Sequence, residues 1–235
     1  MNEYLKHIYQ KTKENFYQEL NNNLKNKTKK FIITANPETL ISCEKDKELE
    51  KIILNKTNII VPDGISIVKA CNKIGINIKE RITGIEICEY LLKLANEKGY
   101  SLYLFGAKKD VLEKLVAKIK EEYSGINLLG YQNGYAKDKG KVMEEIIAKK
   151  PDICLIALGI PAQEKLIAKY INNAKKGIFI GVGGSFDVLS GTKKRAPKIM
   201  IKLNLEWLYR IIKEPKRIKR FWNNNIKFLF KVKKN

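Results

Sequence analysis

Short apolar runs alternate along the chain with longer stretches whose apolar residues recur every three or four positions. FIITA (31–35), NIIV (58–61), SLYLF (101–105), INLLG (126–130), ICLIAL (153–158) and GIFIGV (177–182) are near-continuous apolar runs. Unbroken apolarity is expected of strands covered on both faces, as in parallel sheets. Between the runs, the spacing predicts helices near 37–54, 64–74, 84–98, 108–122, 138–150 and 161–174. Leu112, Leu115, Val116 and Ile119, for example, fall on one helical face. This alternation predicts an α/β fold: a parallel, doubly wound sheet with right-handed crossovers. Residues 1–30 read as a polar helix ending in the loop-like run NNNLKNKTKK. No internal repeat or low-complexity linker breaks the pattern.

A length of 235 residues suits one domain, or one domain with an appendage. An apolar content of 44% supports a real core and excludes wholesale disorder. No run of about 18 apolar residues occurs, so no transmembrane helix is expected. The N-terminus carries charges every few residues, unlike a secretory signal. Cys43, Cys71, Cys88 and Cys154 form no CxxC pair, and His7 is the only histidine. These are expected to be buried thiols, with no zinc site and no histidine-based triad.

The charge changes this picture. Lysine and arginine number 46 against 25 acidic residues, a net charge of +21. Residues 193–235 hold 15 of those bases and only Glu206 and Glu214, a net +13. The composition shift near residue 190 divides the chain into a core, 1–192, and a basic helical appendage, 193–235. A helix is predicted over 215–233, with Ile218, Phe221, Trp222, Leu229 and Val232 roughly along one face. Basic helices bearing Trp and Phe suit an anionic membrane surface. The alternatives are a helix docked on the core with a solvated basic face, and a nucleic-acid patch.

In an open parallel sheet, ligands bind beyond the carboxyl ends of the strands. That rule selects Asn36, Asp63, Gly106, Gly159 to Glu164, and Gly183 to Asp187. Asp63, between proline and glycine, is suited to act as a general base or as the N-cap of the next helix, and the cap is the commoner use of aspartate. Thr34, Asn36 and Gln163 are neutral groups suited to sugar hydroxyls, or to turn chemistry. Gly181, Gly183 and Gly184 let backbone N–H groups approach a phosphate, or simply make a tight turn. Arg81 either binds phosphate or is a surface charge. Arg195, Arg210, Arg217 and Arg220 stand out in a chain dominated by lysine, because the guanidinium fork binds phosphate bidentately.

Together these segments resemble the WecG/TagA/CpsF glycosyltransferase family. The resemblance is carried by TANPE (34–38), VPDG (61–64), ERITG (80–84), LFGA (104–107), NGY (133–135), ALGIPAQE (157–164), GVGGSFDVLSG (181–191), KRAP (194–197), EWLYR (206–210) and EPKRIKR (214–220). They stand in family order and span about 31–222. The first 30 residues differ from the family's usual opening strand and turn.

The resemblance implies a Rossmann-like core and an inverting, metal-independent glycosyltransferase that needs no cofactor. It implies transfer from a UDP-sugar to a polyprenyl-pyrophosphate-linked sugar. In the TagA-like branch this is N-acetylmannosamine onto undecaprenyl-pyrophosphate-GlcNAc, in wall teichoic acid synthesis; other branches use a mannosaminuronate or glucose donor. Asp63 matches the proposed base. Thr34, Asn36, Arg81 and Gln163 match residues of the sugar and phosphate pocket. Gly106, Tyr135, Gly159, Gly183, Gly184 and Asp187 match the nucleotide side, and Arg210, Arg217 and Arg220 the diphosphate clamp. The implied setting is cytoplasmic, peripheral on the inner face of the cell membrane, with no nucleic-acid partner and with a homo-oligomer allowed.

Overall fold

The computed structural model describes residues 1–232, apart from the side chains of Arg217 and Arg220. All six expected strands form: β1 (Lys29–Ala35), β2 (Ile59–Pro62), β3 (Ser101–Gly106), β4 (Asn127–Gln132), β5 (Ile153–Ala157) and β6 (Gly177–Gly181). They make one parallel sheet in the order β2-β1-β6-β5-β3-β4. The α/β, Rossmann-like expectation is met. Strands β3, β5 and β6 are buried along their whole length, which is why their sequences do not alternate.

Side-chain alternation splits the core in two. Ile33, Phe105, Cys154, Ile156 and Phe179 project into one cluster, and Ile32, Leu104, Ile153, Leu155 and Ile178 into the other. All four cysteines are buried and unpaired.

The first face carries α3 (Pro37–Cys43), α4 (Lys47–Leu54), α5 (Ile65–Lys73), α8 (Lys139–Lys149) and α9 (Ala162–Tyr170). The second carries α6 (Gly84–Lys98), α7 (Lys109–Glu122) and the short α10 (Ser185–Leu189). Helix α3, after β1, and α10, after β6, therefore leave neighbouring strands toward opposite faces. That divergence opens a crevice between β1 and β6 at their carboxyl ends.

Two expectations need correction. The helix expected over 37–54 is two helices. Asp46 interrupts it, because its Oδ1 accepts the Leu49 N–H at 3.2 Å and caps α4. The N-terminal segment is not a polar helix running into a loop. It forms α1 (Asn2–Lys6) and α2 (Lys13–Lys25), and the supposed loop is the end of α2 and the start of β1. Leu5 and Ile8 enter the first cluster, and Phe16, Leu20 and Leu24 the second. The Tyr9 N–H donates to the Ile60 carbonyl at 2.7 Å, and Ile8 bridges Ile60. The N-terminus thus wraps the open edge of β2, which protects an otherwise unpaired strand.

The basic tail folds as α11 (Lys198–Lys202), α12 (Glu206–Lys213) and α13 (Arg217–Lys231). It is docked on the core. Arg195 makes a two-oxygen pair with Glu89 of α6, at 2.9 and 3.0 Å. Helix α13 packs against α3 and α5, with Phe228 fully buried and Val232 nearly so. Asn225 accepts from the Ser66 hydroxyl, and Lys231 pairs with Glu44. Of the five residues expected on one face of this helix, only Val232 is buried. Phe221 stacks on Trp207, with centroids 4.6 Å apart, while Ile218, Leu229 and Trp222 (62% exposed) face outward beside Phe230 (85% exposed).

Phe228→Ala is expected to destabilise the protein by about 3 kcal/mol through the cavity it leaves. The measurement is urea unfolding, with trypsin cleavage of 213–219 accelerated in the variant.

Candidate active site

Asp63 follows β2 directly. Its N–H donates to the Ala35 carbonyl at 2.9 Å, extending the β1–β2 ladder by one residue and fixing the backbone. Its side chain does not cap the helix that follows. Gly64 is the N-cap of α5 and supplies no side chain. Instead, Asp63 Oδ1 accepts the N–H of Gly84, the first residue of α6, at 3.1 Å. Thr83 and Glu86 cap α6 reciprocally, and the Ile82 N–H donates to the Pro62 carbonyl at 2.8 Å, aligning 80–84 with the end of β2.

The electrostatics of Asp63 come from both the core and the tail. Burial pushes its carboxyl above the usual aspartate range. Arg210 opposes this most strongly, followed by the Gly84 N–H. Glu206 adds to the rise, and Arg81 opposes it. Arg81 Nη2 lies 3.4 Å from Glu206 Oε2, and Arg210 Nη2 donates to Glu206 Oε1 at 2.8 Å. The fold thus gathers Asp63, Arg81 and Arg210, three of the expected site residues, with Glu206 among them. A cavity of about 250 Å³ opens beside Arg81, lined on the core side by Lys13, Lys79 and Glu86 and on the tail side by Ile201 and Asn204.

Thr34 lies at the β1–β6 crevice and donates to the Gly181 carbonyl at 3.0 Å. A Cβ on Gly84 would sit 3.4 Å from the Thr34 methyl and 3.5 Å from the Ser185 hydroxyl, so these three residues meet close to Asp63. Asn36 caps α3, with Oδ1 accepting from the Glu38 and Thr39 N–H groups. Its turn chemistry is realised, and its carbonyl oxygen is engaged by backbone.

Gln163 is buried, with Oε1 accepting from the Gly159 and Gly183 N–H groups at 3.2 Å each. It ties together the loops after β5 and β6. A side chain at Gly181 would come within 2.6 Å of the Gln163 amide, which explains the glycine there. Gln163 Nε2 in turn donates to Glu164 Oε1 at 2.8 Å. Glu164 is fully buried, and no partner in the described structure meets its Oε2. Burial pushes its carboxyl up to about 7.

The remaining expected residues line the same edge of the sheet. Gly106 has a left-handed φ of 131°, and a Cβ there would lie 2.3 Å from the Ala157 carbonyl. Gly159 and Gly183 also have positive φ, and Gly184 precedes α10. Tyr135 is 73% exposed after β4, where Asn133 Oδ1 holds its N–H. The Asp187 carboxylate lies 3.8 Å from the Lys193 ammonium, which also pairs with Glu214. The side chains of Arg217 and Arg220 lie outside the described residues.

Sequence reasoning missed Glu206, which it counted only as a tail charge; it included Glu164 in a strand-end run without foreseeing a buried acid. The signal for Glu206 was its place four residues before Arg210, one helical turn away.

The Rossmann-like sheet thus brings a carboxylate at a strand end within electrostatic reach of guanidinium groups from two segments. The profile of the "Glycosyl transferase WecG/TagA/CpsF family" matches residues 5–235, and the chain belongs to that family and is a glycosyltransferase. The match takes in most of the first 30 residues as well. The N-acetylglucosaminyldiphosphoundecaprenol N-acetyl-beta-D-mannosaminyltransferase of Bacillus subtilis (strain 168) is 44% identical over 189 residues, 80% of this chain and 73% of its own. The enzyme of the same name from Bacillus spizizenii is 38% identical over 190 residues, 81% of this chain and 74% of its own. That from Staphylococcus aureus (strain MW2) is 34% identical over 204 residues, 87% and 80% respectively.

Glu164 carries a pH prediction. Its folded value, about 7, lies above the ordinary 4.5, so the folded state holds a proton that the unfolded state releases first. Stability from this group is fully present below pH 4.5 and lost as pH rises through 7. Glu164→Gln is expected to flatten that part of the profile, by on the order of 3 kcal/mol, in denaturant unfolding followed from pH 4.5 to 8.

Proposed function

We propose that this glycosyltransferase moves N-acetylmannosamine from UDP-N-acetylmannosamine to GlcNAc-diphosphoundecaprenol, with inversion and without a metal, at the cytoplasmic face of the membrane in teichoic acid-type wall synthesis. The activity of the three relatives, as their names give it, supports the acceptor and the sugar. The observation that carries the chemistry is Asp63, held by the Gly84 N–H, made more basic by burial, and within electrostatic reach of Arg81 and Arg210.

Asp63 takes the proton of the acceptor hydroxyl as its oxygen attacks the anomeric carbon of the donor. The bond from that carbon to the β-phosphate oxygen breaks, and UDP leaves with the electron pair. Charge therefore builds on the diphosphate. Arg210 neutralises it, a role that a divalent ion fills in other transferases and that the family resemblance extends to Arg217 and Arg220. The second acid close to Asp63 is Glu206, and its two oxygens already face two guanidinium groups. That arrangement favours arginine over metal as the clamp. Thr34 and Asn36 line the donor-sugar side, with Gln163 holding the two loops that border it. Gly106, Tyr135, Gly159, Gly183, Gly184 and Asp187 border the nucleotide.

The acceptor stays in the bilayer, so the enzyme must reach the surface. Among the described residues no helix is long and apolar enough to cross a membrane. Exposed Ile199, Leu203, Ile212, Ile218, Trp222 and Phe230 lie on the tail among its lysines, a composition suited to an anionic interface.

Two measurements test this. UDP release by the full chain, with EDTA present, is expected to require both the UDP-sugar and a short-chain polyprenyl-diphosphate-GlcNAc. Asp63→Asn is expected to lower it by about 10²–10⁴-fold. Full activity in that variant would return Asp63 to a purely structural role. In co-sedimentation with anionic lipid vesicles, Trp222→Ser with Phe230→Ser is expected to weaken binding by about tenfold or more, since each change withdraws a large apolar group from the interface.

A further inference from the structure

Glu206 is 6% exposed at the first position of α12, and a buried carboxylate is tolerated only when paired. It pairs twice. One oxygen accepts from Arg210, a turn further along the same helix, at 2.8 Å. The other faces Arg81 of the core at 3.4 Å, and Arg81 also reaches the Ile201 carbonyl at 3.5 Å. One side chain therefore ties the tail to the core beside Asp63 and fixes where two guanidinium groups point.

Among the described residues, the groups bearing on Asp63 are these two arginines, Glu206 and the Gly84 N–H, and the Cys88 thiol in turn feels the Asp63 charge. Lys13, Lys79, Glu80 and Glu86 line the same cavity as Arg81, and Lys13 is already paired with Glu86. Two cations held near a base pose a problem. Uncompensated, they stabilise its carboxylate form and weaken it as a proton acceptor.

We propose that Glu206 is a positioning residue for the transfer: it holds Arg81 and Arg210 beside Asp63 and offsets one of their two charges, so that the diphosphate clamp and a competent base coexist in one site. The role in transfer rests on reading Asp63 as the base. The coupling of Glu206 to Asp63 does not, and it is measured separately.

The full-length chain is labelled with ¹³C at its aspartate carboxyl carbons. There are six aspartates, and the Asp63 signal is the one lost in Asp63→Asn. Glu206→Gln keeps the shape and an oxygen for a guanidinium but removes the charge. In that variant the Asp63 titration midpoint is expected to fall by about one pH unit. Glu206→Asp, which keeps the charge, is expected to return the midpoint to within about 0.3 unit of wild type. In UDP release, Glu206→Gln is expected to lower kcat about tenfold with donor KM within about twofold.

A midpoint that stays put or rises in Glu206→Gln overturns the proposal, as does a Glu206→Gln enzyme with wild-type kcat and pH profile. Should Glu206→Gln fail to fold, Arg210→Met serves. It removes one cation held at Asp63, so the midpoint must rise, and an unmoved midpoint overturns the proposal. Because the titration needs no substrate, the expected shift in Glu206→Gln together with a wild-type chain that releases no UDP would sink the proposed reaction and leave the link between Glu206 and Asp63 standing.

Discussion

Every strand of the sheet runs the same way, so every strand delivers its chain to the same edge. Both faces are covered by helices, and a doubly covered sheet has no room for unpaired polar groups except where the chain turns. The polar side chains of the site are confined to that edge for this reason. Thr34, Asp63, Gly106, Gly159 and Gly183 are far apart in sequence but share one rim. The crevice within the rim lies between β1 and β6, because α3 and α10 depart to opposite faces.

The rim alone does not make the site. Asp63 is held by the core through the Ala35 carbonyl and the Gly84 N–H, while its electrostatic surroundings come from both the core and the tail. Arg210 and Glu206 belong to α12, and α13 anchors the tail through Phe228. The division into a core and a basic appendage therefore describes composition better than function, since the candidate base draws on both. The tail has two kinds of apolar residue. Phe228 and Val232 pack inward, whereas Trp222 and Phe230 are turned outward, so one helix both docks and presents a surface.

A second polar knot supports the rim from below. Gln163 joins the loops after β5 and β6, and its own amide rests on the buried acid of Glu164. The glycine at 181 is required by the close approach of that amide, and the glycine at 106 by the Ala157 carbonyl. Neither needs a bound phosphate to explain it. The expectation that glycines at strand ends serve a nucleotide and the expectation that they serve tight turns are compatible here, because the turns shape the rim.

The strands were readable from apolar runs because burial on both faces is a local compositional demand. The candidate residues were readable because parallel topology places every strand end on one side. Asp46, which divides α3 from α4, went unread because a capping aspartate looks like any surface charge until its turn is formed. Residues 1–30 read as a polar helix, but its division in two and its buried side went unread because Leu5, Ile8 and Phe16 are spread thinly among lysines. Only contact with β2 and with the two clusters shows which of them are buried. By itself, then, the sequence determined the fold class, the strand ends and the family, since periodicity and motif order are properties of the chain taken in line. Only the tertiary structure decided that Asp63 accepts from α6 rather than capping α5, that Phe228 rather than Trp222 is the anchor, and that Glu206 stands between two arginines. Those outcomes depend on which elements meet in space, and that is set by the packing of segments 21 residues apart for Asp63 and Gly84 and 125 apart for Arg81 and Glu206.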